Sequence, residues 1–368
     1  MESVGYNTVL PFTKPVYGNC TEYATAGSPW NDTRCPYFRI RKMKFDSGYT
    51  TVADTVVTAY VPGSADMSFC NAIMRNETGV ATLWVFGTNN DQRWGGAARS
   101  QVHAFWTTDL VTWNHSVALD IAAFNSSMSG AYNVDVTSRP DGTSVMALEP
   151  SGSCSGGVQC LSYFAECSAC GSDLSRGWKL LDGTKYTAAA MGEVDNPTIR
   201  YMPDGYYYLV TARAHTVTAV APPLLPTRWT TMIGRSKDLI TWEESPHLWG
   251  FACQPADLSI IPGSALDKLG DEEVCMPFCN KSFAQEPVID INRSDMDFWE
   301  LPAEAAGGEP KTFVVWVTGN QGTGAGTLHS CPHDCGASAA GIVDSSLEKW
   351  LQSYFPIDQA GEEELRGR

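Results

Sequence analysis

One phrase is written three times along this chain. "TTDLVTW" occupies 107–113, "SKDLITW" occupies 236–242, and a looser copy, "GSDLSRGW", occupies 171–178. Asp109, Asp173 and Asp238 fall 64 and 65 residues apart, and Trp113, Trp178 and Trp242 fall 65 and 64 apart. A second phrase keeps step with the first. "NVDVTSRPDGTSVMALE" starts at Asn133 and "NPTIRYMPDGYYYLVTA" at Asn196, each with Asp-Gly eight residues after the Asn. "NAIMRNETGVATLWVFG" from Asn71 is a fainter copy, so the three asparagines are separated by 62 and 63 residues. A fixed period constrains the fold strongly, because each repeat must be one supersecondary unit.

Each copy predicts a β-hairpin. A short alternating run meets Pro-Asp-Gly or Glu-Thr-Gly, where Gly supplies positive φ, and a β-rich run follows. The D-L-x-x-W phrase then joins the next strands, with its Trp entering the packing between sheets. Units of about 65 residues built from short strands fit four-stranded antiparallel sheets repeated radially, which is a β-propeller. "NRSDMDFWELP" from Asn292 opens a further unit with "KTFVVWVTG" at 311–319 as its return strand. The expectation is one all-β domain over 1–368, a five-bladed β-propeller. Residues 1–60 supply the first blade or close the ring, and 250–290 form an insertion. "DSSLEKWLQSYF", with Leu347, Trp350, Leu351 and Phe355 at helical spacing, predicts a short C-terminal helix. A generic β-sandwich is the competing fold, and it leaves the two phrases in register unexplained.

The charge narrows the partners. A formal net charge of −16 disfavours nucleic acid and anionic membrane surfaces, which both need Lys and Arg in excess. A neutral ligand suits it. No run of eighteen apolar residues appears, so no transmembrane helix is expected. The start, "MESVGYNTVLPF", lacks the pattern of a signal peptide. Twelve cysteines and seven N-x-S/T triplets, at Asn19, Asn31, Asn76, Asn114, Asn125, Asn280 and Asn292, point instead to an extracellular protein whose leader has been removed. Cys167-x-x-Cys170 and the group His329, Cys331, His333 and Cys335 have spacings that zinc accepts, but disulfides are the favoured use. No metal ligand set is assigned.

The S-x-D-L-x-x-W phrase and the hairpin N-P-x-I…D-G-x-Y-Y-L resemble the five-bladed propeller glycosidases: glycoside hydrolase family 43 and its relatives in families 32, 62, 117 and 130. The resemblance covers roughly residues 66–355. Sialidase propellers differ, because their aspartate box needs Gly where Leu110, Leu174 and Leu239 stand. The resemblance implies an inverting hydrolase of an oligo- or polysaccharide. Three carboxylates would gather where each blade's innermost strand begins. Independently of family, cleavage by inversion needs an acid and a base on opposite sides of an oxocarbenium-like centre, with room between them for water.

Carried over residue by residue, Asp135 matches the carboxylate that orients the acid and adjusts its pKa. Asp195, two residues before Pro197, matches the acid, with Glu193 as the alternative. The base should be an Asp, yet Asn71 stands there, with Asp66 nearby. An amide cannot take a proton from water, so Asp66 or another blade's carboxylate must serve, or the site is not a standard one. Asp295 and Asp297, two apart on a strand, would share a face and repel, raising the pKa of one of them. They could equally hold a structural Ca²⁺ or cap a turn. No cofactor is required. Asn71, Asn133, His215 and Trp299 are the candidate substrate contacts, since hydroxyls suit amides and sugar rings suit aromatic planes. Asp109, Asp173 and Asp238, one per repeat, read as turn struts. The rival readings are a non-catalytic carbohydrate-binding propeller and a phosphorolytic relative using Arg200 and Arg213. A monomer is expected.

Overall fold

The computed structural model describes residues 38–43, 51–57, 67–77, 79–89, 101–109, 111–121, 131–150, 162–183, 185–188, 195–216, 227–245, 293–318 and 337–355. Within them the chain is almost wholly β. It divides into two compact units, 1–201 with 236–242 and 202–235 with 243–368.

The strands come in hairpin order. β1 (Phe38–Met43) and β2 (Thr51–Val57) form a two-stranded sheet. β3 (Met67–Glu77), β4 (Val80–Asn89), β5 (Gln101–Thr107) and β6 (Asn114–Asp120) form an antiparallel sheet in the order β3-β4-β5-β6. β7 (Ala131–Ser138), β8 (Ser144–Pro150), β9 (Tyr163–Cys167) and β10 (Lys179–Leu180) repeat that meander. So do β11 (Asp195–Tyr201), β12 (Tyr207–Thr216), β13 (Thr227–Ser236) and β14 (Glu243–Glu244). A last sheet joins β15 (Arg293–Leu301), β16 (Lys311–Thr318) and β17 (Ala337–Val343), with a one-turn helix α1 (Ala303–Ala306) between β15 and β16. Five sheets are thus described, three of them four-stranded. Within the first unit the opening strands adjoin, with β7 packed against both β3 and β11.

The punctuation lies where the repeats place it. Gly79, Gly142 and Gly205 turn the β3–β4, β7–β8 and β11–β12 hairpins at φ of 82°, 87° and 85°, a region a Cβ disfavours. The D-L-x-x-W phrases join the third and fourth strands of their sheets. Asp109 Oδ1 accepts from the amides of Val111 and Thr112 at 2.8 and 2.7 Å, and Asp238 Oδ1 from those of Ile240 and Thr241 at 2.9 and 2.8 Å. Thr107 and Ser236 close the same bracket from the other side, each hydroxyl donating to its Asp at 3.0 Å. These aspartates are turn struts. The repeated amides hold the exposed Asp109 carboxyl down at about 2.

The middle copy departs from this pattern. Gly171 stands where the hydroxyl should be, and a disulfide between Cys167 and Cys170 closes the corner instead. Asp173 there accepts from the Ser175 amide at 3.0 Å and takes Arg176 as an exposed ion pair at 3.0 Å. Two of the phrase's three Trp residues pack inward: Trp178 lies edge-on to Phe86, and Trp242 stacks on Phe164 at 5.5 Å.

Each unit has its own core. In the first, Trp84, Phe86, Val102, Leu119, Ile121, Val134, Val136, Met146, Leu148 and Trp178 cluster together. In the second, Tyr208, Val210, Ile233, Phe298 and Val314 receive the buried face of α2 (Leu347–Gln352). That face is Leu347, Trp350 and Leu351, followed by Phe355, as the spacing predicts. Ser346 caps α2 by accepting from the Lys349 amide. The proposed insertion at 250–290 lies outside the described residues.

Candidate functional site

A departure from regular pairing recurs at the start of three opening strands. The register shifts between Ser68 and Asn71 in β3, between Tyr132 and Val134 in β7, and between Ser294 and Asp297 in β15. Such bulges leave residues unpaired and re-aim side chains, and they concentrate next to active sites. In β7 the unpaired residue is Asn133.

Asn133 is drawn into a three-residue cluster within the first unit. Its Nδ2 donates to Glu149 Oε2 at 2.6 Å and also to Asn196 Oδ1. The backbone amide of Asn196 donates to the same Glu149 oxygen at 3.0 Å. Two donors on one oxygen fix the carboxylate in place. Glu149 is 6% exposed and stands near the end of β8, across the hairpin from the bulge. Asn196 has φ of 50° directly before Pro197. Sterics push the residue before a proline towards extended conformations, so the left-handed geometry is held against a local preference. Backbone strain of this kind clusters at functional sites.

Behind the cluster lies a buried ion pair. Asp135 is 1% exposed, and its Oδ2 accepts from Arg200 Nη1 at 2.5 Å and from the Ile199 amide at 2.7 Å. Its Oδ1 accepts from the Val136 amide at 2.8 Å. Burial pushes this carboxyl up; the Arg200 guanidinium and the amides of Ile199 and Val136 pull it back down. Arg200 also donates to the Ile199 carbonyl at 2.7 Å, and the Tyr201 amide donates to Thr137 Oγ1 at 2.9 Å. Side chains of β7 therefore satisfy successive donors of β11. Asp135 shapes the cluster by fixing the strand that carries Asn196, and its own oxygens face protein donors.

The other expected residues are placed as follows. Asn71 lies at the β3 bulge, opposite Phe86. Asp195 opens β11 immediately before Asn196, and His215 lies in β12. Asp295 falls inside the β15 bulge, and Asp297 beyond it pairs with Val315. The shift between them interrupts the alternation on which a shared face for Asp295 and Asp297 depends, which corrects that argument. Asp297 is buried and accepts from the Phe298 amide at 2.8 Å, as Asp135 does from Val136. Trp299 is half-buried, its ring 5.1 Å from that of Phe313. Glu300 accepts from the Leu347 amide at 3.1 Å, at the start of α2. Asp66 and Glu193 lie outside the described residues. Among the described residues no cluster of three or more His, Cys, Asp or Glu could hold a metal.

Glu149 is the residue that sequence reasoning passed over. Its signal was faint: a carboxylate ending an otherwise apolar strand, "SVMALEP", at the far side of a hairpin whose first strand carries the bulge.

No family model matches the sequence, and no curated protein does. Solved structures are similar to it at low identity. The GH32 beta-fructofuranosidase of Bombyx mori is 13% identical with a TM-score of 0.45, over 77% of this chain and 47% of its own. An endo-arabinase from Bacteroides thetaiotaomicron is 12% identical with a TM-score of 0.39, over 75% of this chain and 74% of its own. An N-acetylgalactosamine deacetylase from F. plautii is 11% identical with a TM-score of 0.45, over 90% of each chain. The chain thus spans about half the length of the beta-fructofuranosidase. These are similarities to proteins that act on sugars in different ways, and the chemistry of this chain rests on its own residues.

Proposed function

We propose that this chain is a five-bladed propeller that binds an oligo- or polysaccharide where its opening strands begin, and hydrolyses a glycosidic bond there. The observation that carries the reading is the convergence of Asn133, Glu149 and Asn196 from three strands onto one polar cluster. Paired amides and a carboxylate complement neighbouring sugar hydroxyls, each of which both donates and accepts. Bulges at the starts of β3 and β7, which adjoin within the first unit, support a shared mouth there.

Glu149 is the carboxylate we assign to the reaction as acid or base. Asp195, adjoining Asn196, is its counterpart, with Glu193, Asp66, Asp295 and Asp297 as further carboxylates of the opening strands or their approaches. Inversion requires the working pair to stand roughly 6.5–9.5 Å apart so that water fits between them. Asp135 is a positioning residue. The phosphorolytic reading loses support, because Arg200 is committed to Asp135.

One observation favours a second reading, a non-catalytic carbohydrate binder. An amide, Asn71, stands where the resemblance puts the base, and amides also hold the equivalent repeat positions Asn133 and Asn196. A panel of aryl glycosides and of plant and algal glycans separates the two readings, with released reducing ends and glycan binding measured side by side. Hydrolysis by the wild type that Glu149→Gln abolishes, with glycan binding retained, is the expected result. Binding without hydrolysis of any panel member would give the site to the lectin reading. Full hydrolysis by Glu149→Gln would remove Glu149 from the mechanism.

A further inference from the structure

The apolar surface of the first sheet is distributed in a way its sequence motifs explain. Among the described residues, the exposed large hydrophobic side chains are Met74, Val80, Val111 and Val117, and all four belong to this sheet or its turns. Val111 and Val117, 81% and 41% exposed, stand three residues on either side of Asn114. Asn114, His115 and Ser116 form an N-x-S triplet, and Asn114 itself is exposed. Met74 and Val80 lie two residues before and four after Asn76, the other such triplet that begins within the described residues.

Asn114 is also the first residue of β6, the outermost strand of the sheet β3-β4-β5-β6. An outer strand offers backbone donors and acceptors to any passing chain, and natural edges are blunted by Lys, Pro or a bulky cover. β6 reads "NHSVALD", with neither Lys nor Pro. Exposed valines beside an edge strand of this composition are an association hazard.

We propose that Asn114 carries an N-linked oligosaccharide, and that this glycan covers Val111, Val117 and the open end of β6. The transfer takes its sugar from a polyprenyl-pyrophosphate oligosaccharide. A bond forms between Asn114 Nδ2 and the sugar C1, the C1–O bond to pyrophosphate breaks, and the amide gives up one proton as the lipid pyrophosphate leaves. In the folded chain Ser116 Oγ donates to the Ser175 carbonyl at 2.6 Å, which engages the triplet's hydroxyl. Attachment therefore precedes folding of this sheet, as expected for a chain modified while it enters a secretory compartment. The inference is independent of any reaction at the Glu149 cluster.

The test is enzymatic deglycosylation of the naturally secreted protein in ¹⁸O-water, followed by peptide mass spectrometry. An ¹⁸O-labelled aspartate at position 114 is the expected result, and recovery of that peptide solely with unmodified Asn114 overturns the proposal. A second measurement addresses the covering role. Asn114→Gln, secreted from a eukaryotic host, should lose the mass of one oligosaccharide and elute later from a phenyl matrix. Unchanged mass overturns the attachment, and unchanged retention overturns the covering. Ser116→Thr keeps both the triplet and the hydroxyl and should retain full occupancy.

Discussion

Replacing Asp135 with Asn tests whether the buried pair is a strut. The substitution preserves volume and removes the charge. It leaves Arg200, only 16% exposed, facing an amide, and it sets an NH₂ group against a donor: the Ile199 amide and Arg200 on one oxygen, or the Val136 amide on the other. Breaking a buried pair by removing one partner costs about 3–5 kcal/mol. The exposed fraction of Arg200 lets water relieve part of this, so about 3 kcal/mol is expected. That is a large share of the roughly 5–15 kcal/mol that holds a domain folded. Urea titration followed by tryptophan fluorescence, to which Trp84 and Trp178 in the core of the same unit contribute, should show the midpoint falling by about 1 M or more. The double variant Asp135→Asn with Arg200→Met should be less destabilised than the sum of the two single changes, because removing both charges leaves neither stranded. A loss below about 1 kcal/mol together with abolished activity would refute the strut and return Asp135 to the reaction itself.

Two further outcomes follow from features of the first unit. His103 Nδ1 and His115 Nε2 lie 2.8 Å apart in β5 and β6, and burial followed by the charge of His115 lowers His103 to about 4. The unfolded chain takes up this proton near pH 6.5 and the folded chain only near 4, so stability is complete above 6.5 and declines as pH falls between the two values. The loss is about 2–3 kcal/mol, and a urea midpoint that stays flat from pH 7 to 4 would contradict it. Gly183→Ala should destabilise more than Gly142→Ala. Its Cβ would fall 2.3 Å from Tyr163 Cε1, whereas Gly142 meets nothing within 4 Å and pays only for its φ of 87°; the expected costs are about 2–3 against about 1 kcal/mol, read from thermal midpoints of the two variants.

The hairpins were legible because their signals are local. Asp-Gly at a fixed offset from Asn133 and Asn196 forces a turn whatever surrounds it, and Asp109 and Asp238 bind amides two and three residues away. The helix over Leu347–Gln352 was equally readable, since its apolar spacing needs no partner to be seen. The candidate site was legible only in part. Asn133 stood out through the repeat, but Glu149 meets the Asn196 amide across 47 residues of sequence, and no period announces that contact. Asp135 was picked out through the resemblance, as the carboxylate that adjusts the acid, but its partner Arg200 is 65 positions away and nothing local points to it. Bulges defeated the rest. Alternation assigns faces only while pairing is regular, and the shift between Ser294 and Asp297 breaks the count for Asp295.

The corner at Cys167 and Cys170 gives one sheet a different chemical dependence from its siblings. Where Thr107 and Ser236 fasten their loops with hydroxyl protons from the preceding strand, this loop takes its hydroxyl from Ser175 and adds a covalent tie. A thiol reductant can therefore slacken this vertex, next to Trp178, by a route to which the hydroxyl ties at Asp109 and Asp238 are indifferent.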